Sequence, residues 1–510
     1  LNFVKKSTTM TEMNTAPELG LDPEDWNAIK ALGHQMVDDV INYMANIGED
    51  KVWKPIPGSV KKELEKPVPH GPSDIFEIYD EFKKNVLPYH GGNIHPKYFS
   101  WVQGTGTPFG AFAELLAGVM NSNAAMGEQS SLYVDRQVIN WCKEMLNYPA
   151  EGSGILVSGG SIANITALIV ARNTIIANSR KTGVYAAGQL TAYCSAETHN
   201  CLNKAAEIIG IGSTHLRKIP VTAEFEIDIE LLKQSIAEDK VAGYIPFCII
   251  GNAGTVNTGA IDPLDALFEI AREENIWLHI DGAFGALAKL VPGYQQKLKA
   301  IEKADSVAFD LHKWMYMPYE VGCVLFKDAA GHRNAFTNVV SYLTVHERGL
   351  AAGPEVVSNL GMELSRGFKA LKVWMSLKEH GLDKYAAMIG QNIDQAFYLG
   401  SKIMEKPTLE LITPVIMNIV CYRFNPGGLD NEQLNVLNKE LLMRMQETGV
   451  AAPSSTIING KYAVRVAITN HRTRRQHLDE MVAGSVSIGE KLMKELDASL
   501  FKFDLLTKLP

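Results

Sequence analysis

Residues 306–318 read SVAFDLHKWMYMP. Val307 and Phe309 alternate as in a buried strand, and the run then delivers Asp310, His312 and Lys313 ahead of Trp314, Met315 and Tyr316. A lysine at a strand end among apolar and aromatic neighbours is poorly hydrated, which disfavours its charged form. Such an amine can lose its proton near neutral pH and attack a carbonyl. The competing reading is a surface lysine whose stem lies along apolar residues while its head reaches water. Upstream stretches discriminate between the two.

From about Gly154, short apolar runs alternate with amphipathic helical segments, which predicts an α/β fold with a mostly parallel sheet. The expected strands are 155–157, 191–195, 214–219, 244–250, 276–280, 306–309 and 322–326. Ligands of such sheets lie beyond the carboxyl ends of the strands, and the chain places its polar residues there. Ser158-Gly-Gly-Ser161 follows the first strand and opens a helix over 162–172. Two glycines at a helix N-terminus suit an anion, and they equally suit an ordinary strand-to-helix turn. After the second strand, His199 is either a cap residue or lies flat against a planar ring. Gly251–Thr255 forms a tight glycine loop after the fourth. The fifth ends in His279-Ile-Asp281-Gly-Ala283. A buried acid there needs a partner, an arginine or a protonated ring nitrogen, and Ala283 leaves flat space beside it.

A phosphate at Ser158–Ser161, a ring beside His199, an acid for a ring nitrogen and a lysine for an aldehyde describe one ligand, pyridoxal 5′-phosphate. On these stretches the chain resembles the group II pyridoxal-phosphate-dependent amino-acid decarboxylases, the group of the aromatic-L-amino-acid and glutamate decarboxylases. The resemblance runs nearly end to end, through HPKYFSW (95–101), SGGSIANITAL (158–168), ETHN (197–200), IWLHIDGAFG (276–285), DLHKW (310–314), LSRGFKALKVW (364–374) and YAVRVAITN (462–470). It implies a large pyridoxal-phosphate transferase-like domain of fold type I, an N-terminal helical arm and a small C-terminal α+β domain, bounded near 1–107, 108–383 and 384–510. It implies that Lys313 holds the cofactor covalently and acts with His199 and Asp281. Gly160, Ser161, Thr255, Ala283 and His312 complete the implied cofactor site. The activity implied is decarboxylation of an L-amino acid, aromatic by analogy, in a homodimer with the active site at or near the subunit interface.

Two features depart from the family pattern. Relatives carry a tyrosine in a mobile loop that returns a proton to the substrate carbon. Counting along YLTVHERGLAAGPEVVS (342–358) puts Val357 at that position, with no tyrosine after Tyr342. Protonation would then fall to His346, His199 or Lys313. Aldehyde-forming oxidative decarboxylation-deamination stays open as a second outcome, and binding of the cofactor without catalysis as a third. Relatives also often have asparagine where this chain has Asp310. An acid near a phosphate is unfavourable, so Asp310 is expected to point elsewhere or to bind His312. The substrate walls are placed at Trp101 and Val102 on one side and at Asn123 and Ala125 on the other.

Composition narrows the classes. The chain is 46% hydrophobic and 21% charged with a net charge of −8, without the basic excess of a nucleic-acid binder. No apolar run reaches membrane-span length. Six scattered cysteines without a CxxC pair predict free thiols in a reducing compartment, the cytoplasm, and no metal motif is present.

Asp22-Pro23 predicts a helix start, with Trp26 to Met44 at helical spacing. The five prolines of 53–72 predict an extended connector, and Ser73 caps a second helix to Leu87. This arm is expected to pack on another subunit. GxGxxxG at 104–110 reads as a loop before a helix at 112–120. Past the sheet, Leu360 to Met375 at i,i+4 steps predict a long helix closed by His380-Gly381. Strands within 409–424, a helix at 430–448 and a hairpin at Asn459-Gly460 follow. Arg465 points opposite Val464 and Val466, to solvent or into an interdomain cleft. Thr473 and Gln476 predict a capping box.

Overall fold

Side chains alternate across a strand, and that alternation builds the centre of the molecule, seen in a computed structural model that describes residues 19–185, 188–337 and 346–499. After a two-residue strand β1 (Tyr98–Phe99) come β2 (Ser153–Val157), β3 (Leu190–Ser195), β4 (Leu216–Ile219), β5 (Ile245–Asn252), β6 (Trp277–Asp281), β7 (Ser306–Asp310) and β8 (Gly322–Phe326). Strands β2 to β8 form one sheet in the order β2-β8-β7-β6-β5-β3-β4. All neighbours are parallel except those of β8, which runs against both β2 and β7. The mostly parallel α/β sheet is as expected.

Leu278, Ile280, Val307 and Phe309 enter one apolar cluster, and Trp277, Ala308 and Val324 enter the other. The helix Gly160–Ile175 contributes Ala163, Ala167, Leu168 and Ala171 to that second cluster. By parity His279, Asp281, Ser306 and Asp310 share this helix-covered face. The register pairs His279 with Ser306 and Asp281 with Ala308.

A second sheet has the order β1-β11-β12-β10-β9, with β9 (Leu409–Leu411), β10 (Ile419–Phe424), β11 (Ala452–Ile458) and β12 (Lys461–Ala467). Asn459-Gly460 turns β11 into β12 as expected. The edge strand β1 was not foreseen. It pairs in parallel through Tyr98 with Ala452, too short a run to leave a periodic signal.

The chain divides into two compact units, one within Leu1–Asn46 and Ile56–Tyr89, the other within Ile47–Pro55 and His90–Pro510. The first holds helices Trp26–Ala45, Gly58–Leu64 and Ile75–Asn85. Asp25 and Asp74 cap the first and third, in place of the expected Asp22 and Ser73. The proline-rich connector contains the helix Gly58–Leu64, because its prolines flank that segment and Pro57 stands at the N-cap, where a missing N–H costs nothing.

Two further expectations are corrected, and of the two directions left open for Arg465 solvent is removed. The long helix begins at Ala370, and Val357–Leu360 is a separate 3₁₀ turn. Between them Gly361 and Gly367 interrupt, and buried Arg366 donates to Ala124 O at 3.3 Å and Leu156 O at 3.0 Å. Thr473 donates to Pro96 O at 2.8 Å and caps nothing; its helix is Arg475–Ser499. Arg465 faces the interior, donating to Val256 O at 2.9 Å and Ser100 O at 2.8 Å.

Candidate active site

Strands β2, β6 and β7 end at one edge of the sheet and supply the site. β2 runs into Ser158-Gly159-Gly160-Ser161, from which the helix Gly160–Ile175 starts. A side chain at Gly159 would put its Cβ 3.1 Å from His312 Cε1, and one at Gly160 would put it 2.9 Å from Asp310 Oδ2. Bare backbone is what fits here, and it leaves amide N–H groups at a helix N-terminus for an anion. Gly104 serves differently. A Cβ there would lie 1.9 Å from His312 O, so this glycine lets the 104–107 loop close on the Lys313 stretch.

Asp281, at the end of β6, is 5% exposed. One oxygen accepts from Ala283 N–H at 3.1 Å, the other from Asn164 Nδ2 at 3.0 Å. Burial pushes its carboxyl up, and Lys313, the Ala283 N–H, His199 and Asn164 pull against that.

Beyond β7 the single turn Leu311–Trp314 carries Lys313 into a cavity. Lys313 Nζ lies 2.9 Å from Asp310 Oδ2, and the other Asp310 oxygen has no hydrogen-bond partner among the described residues. Desolvation pushes the ammonium down, but the Asp310 charge and hydrogen bond, with Asp281 behind them, outweigh it and hold Lys313 above the ordinary lysine range. The expected easily deprotonated amine is thus corrected for the cofactor-free chain. The expectation for Asp310 is corrected as well: its close partner is Lys313, with His312 Nε2 at 3.8 Å.

Both histidines are held neutral. His199 Nδ1 accepts from Cys201 N–H at 3.2 Å, and burial lowers its pKa. His312 Nδ1 accepts from Val321 N–H at 3.1 Å, and burial lowers its pKa too. In each ring the Nε2–H is then the donor left over.

These groups border one cavity of about 500 Å³. Of the expected site residues, Trp101, Val102, Gly160, Ser161, His199, Asp281, Ala283, His312 and Lys313 line it. Four do not, within one chain. Thr255 is buried in its own turn, 2.9 Å from Thr258 Oγ1. Asn123 accepts from Arg366 N–H at 2.9 Å, and Ala125 is 1% exposed in the packed interior. His346 is exposed, its N–H donated to Ala351 O at 3.1 Å. Val357 shares an apolar cluster with Ile155, Val157 and Leu360. Within one chain it does not border the cavity. Tyr342 lies outside the described residues, as does part of the expected loop.

Sequence reasoning missed Asn164, Phe284, Tyr319 and Glu320 on the cavity wall. Asn164 had a signal: a polar residue inside the apolar helical run IANITALIV needs a buried partner. The other three sit in irregular segments that gave none.

An anion cradle of bare glycines, a buried carboxylate and an amine around one cavity fit a phosphorylated aromatic aldehyde. Comparisons agree. The Pyridoxal-dependent decarboxylase conserved domain matches residues 57–425. An aromatic-L-amino-acid decarboxylase of Bacillus atrophaeus is 31% identical over 468 residues, 91% of this chain and 96% of the relative. A phenylacetaldehyde synthase of Arabidopsis thaliana is 28% identical over 90% of this chain and 95% of its own. Among solved structures, Catharanthus roseus tryptophan decarboxylase in complex with L-tryptophan has a TM-score of 0.83 at 25% identity, covering 92% of this chain and all of the other (100%). Oryza sativa TDC with PLP and tryptamine has a TM-score of 0.86 at 22% identity, covering 93% and 100%. The chain belongs to the pyridoxal-dependent decarboxylases, carboxy-lyases of amino acids that work with pyridoxal 5′-phosphate.

Proposed function

We propose that this enzyme converts an aromatic L-amino acid to its amine. The observation that carries the reading is the convergence of Lys313, Asp281, His199 and the Gly159–Ser161 turn on one cavity. Its walls include Trp101, Phe284 and Tyr319, and Lys313 is the one lysine or arginine among the described residues lining it. An acidic substrate would need a second cation, which favours an uncharged aromatic side chain. The names of the relatives point the same way.

The residues divide the work as follows. Backbone amides of Gly160 and Ser161, with the Nε2–H of His312, hold the phosphate. Lys313 is the amine that would hold the cofactor through its aldehyde carbon. Asp281 would keep a proton on the ring nitrogen, and neutral His199, on the same cavity wall, would meet the ring without adding charge. Bound pyridoxal phosphate supplies an electron sink for the pair left behind when carbon dioxide departs. With Val357 in the core, the tyrosine that relatives carry in the loop corresponds in this reading to Tyr342, whose hydroxyl returns a proton to the substrate carbon.

Incubation with a panel of L-amino acids, measuring carbon dioxide, amine, aldehyde and peroxide together, tests this. Tryptophan, tyrosine or phenylalanine should give carbon dioxide and amine in equal amounts; aldehyde and peroxide without amine would overturn it. In air-saturated buffer, with dissolved dioxygen as the oxidant, Tyr342→Phe should turn the main product from amine to aldehyde with peroxide and ammonia, and an unchanged amine yield would remove Tyr342 from the mechanism.

Asp310 gives a prediction about pH. Capture of the cofactor needs neutral Lys313, and Asp310 holds Lys313 protonated. Asp310→Asn removes that anion, lowers the lysine pKa and raises the neutral fraction at any pH below it. Capture by the cofactor-free protein at neutral pH should quicken by about tenfold or more, and its pH profile should move to lower pH. The check is stopped-flow absorbance; equal profiles in the two proteins would discard the role.

The assembly and setting are read in the same way. The helix Pro108–Met120 exposes Leu115, Leu116, Val119 and Met120 just after the cavity wall at Trp101 and Val102, which supports a homodimer with the site near its interface. All six cysteines are unpaired and buried, and no described helix is long and apolar enough to cross a membrane. The unpaired cysteines support a cytoplasmic enzyme. The three-part division at 107 and 383 is kept as a working description.

A further inference from the structure

Behind Asp281 a file of hydrogen bonds runs through the interior. Trp277 Nε1 lies 2.9 Å from Ser306 Oγ, Ser306 Oγ 2.9 Å from His279 Nδ1, His279 Nε2 2.7 Å from Asn164 Oδ1, and Asn164 Nδ2 3.0 Å from Asp281 Oδ2. His279 and Ser306 are fully buried (0% exposed), and Asn164 nearly so at 1%.

The two ends fix the direction. An indole N–H can only donate, and an ionised carboxylate can only accept. Asp281 takes the Asn164 Nδ2–H, which turns Asn164 Oδ1 to His279 Nε2; a flipped amide would set oxygen against oxygen. The ring therefore donates from Nε2 and its Nδ1 accepts the Ser306 hydrogen, while Ser306 Oγ accepts from Trp277. Burial lowers the His279 pKa to about 3, so the ring stays neutral through the working range and its tautomer is kept.

We propose that Asn164 and His279 are positioning residues of the reaction, acting through Asp281 to fix its carboxylate in the orientation that meets the cofactor's ring nitrogen. Each Asp281 oxygen has one fixed donor, Asn164 or the Ala283 N–H. One acceptor direction per oxygen is left for the ring. The inference rests on the reading of Asp281 as the ring-nitrogen partner. Lys313, His199 and Cys201 also face Asp281, and the variants below leave them in place.

The test uses His279→Leu, His279→Gln and Asp281→Asn, each loaded with pyridoxal phosphate. It follows the pH titration of the bound cofactor's visible absorbance, the cofactor Kd by equilibrium dialysis, and kcat. His279→Leu should move the titration midpoint by about one pH unit and lower kcat by about tenfold to a hundredfold. His279→Gln keeps a donor toward Asn164 and should bring kcat back to within about threefold of the parent. A parental midpoint and kcat in His279→Leu would overturn the proposal, as would a glutamine variant no better than leucine. If His279→Leu does not fold, Asn164→Ala carries the test. It removes the side-chain donor to Asp281 Oδ2, so a parental midpoint there also overturns the proposal. Impairment in Asp281→Asn alone leaves that carboxylate's role standing and discards the relay; a parental Asp281→Asn discards the reading of Asp281 itself.

Discussion

Lys313→Ala should lose covalent attachment of the cofactor and at least about a thousandfold of turnover. No other lysine borders the cavity among the described residues, so no second amine can take over. A further consequence follows from the ion pair. Lys313 is the close partner of an Asp310 that is 1% exposed and whose other oxygen has no hydrogen-bond partner among the described residues. Removing the amine leaves a buried carboxylate uncompensated. Because 23% of the Lys313 side chain is exposed, solvent softens the loss, and the cost should be about 2 kcal/mol. Lys313→Ala should therefore melt below the parent without cofactor, and Lys313→Ala with Asp310→Asn should recover most of the difference. Absorbance reports the attachment and calorimetry the stability. A single variant that keeps the cofactor's bound spectrum would remove Lys313 from the site. A double variant no more stable than the single would remove the ion pair from the energetics.

The positions that sequence reasoning found are those where chemistry coincides with a strand end. Val157, Ser195, Asp281 and Asp310 each close a strand, and apolar alternation locates such ends well. Lys313, His199 and the Gly159-Gly160 turn follow directly. Residues placed by counting through irregular chain fared worse. Val357 was assigned across a glycine-rich segment and is a core residue, and Asn123 and Ala125 bind or pack inside their own chain. Electrostatics was the least legible. Lys313 has apolar neighbours in sequence, yet its state is set by Asp310, whose side chain returns one helical turn to meet it. The relay was half visible: His279 and Asp281 are two apart and so share a strand face, and Asn164 is polar in an apolar helix. What joins them is the β6–β7 register and the helix laid across it, which no single segment encodes.

Asp281→Asn should lower kcat by about a thousandfold or more while the cofactor Kd changes by less than about tenfold. Binding survives because the phosphate cradle and Lys313 lie on other elements, β2 and the turn after β7. Catalysis does not, because an amide cannot hold the ring nitrogen protonated as a carboxylate does, and without that charge the ring accepts electrons poorly. The substitution also conflicts with its surroundings. Both oxygens of Asp281 receive donors, Ala283 N–H at 3.1 Å and Asn164 Nδ2 at 3.0 Å. An amide nitrogen in either place sets donor against donor, and Asn164 can turn only by giving up its 2.7 Å bond to His279. Asp281→Ala avoids that conflict but leaves the Asn164 donor unpaired. The two variants should thus share the loss of kcat and differ in stability by about 1 kcal/mol. If the cofactor were released while each remaining loaded molecule turned over at the parental rate, Asp281 would be a binding residue and no part of the electron sink.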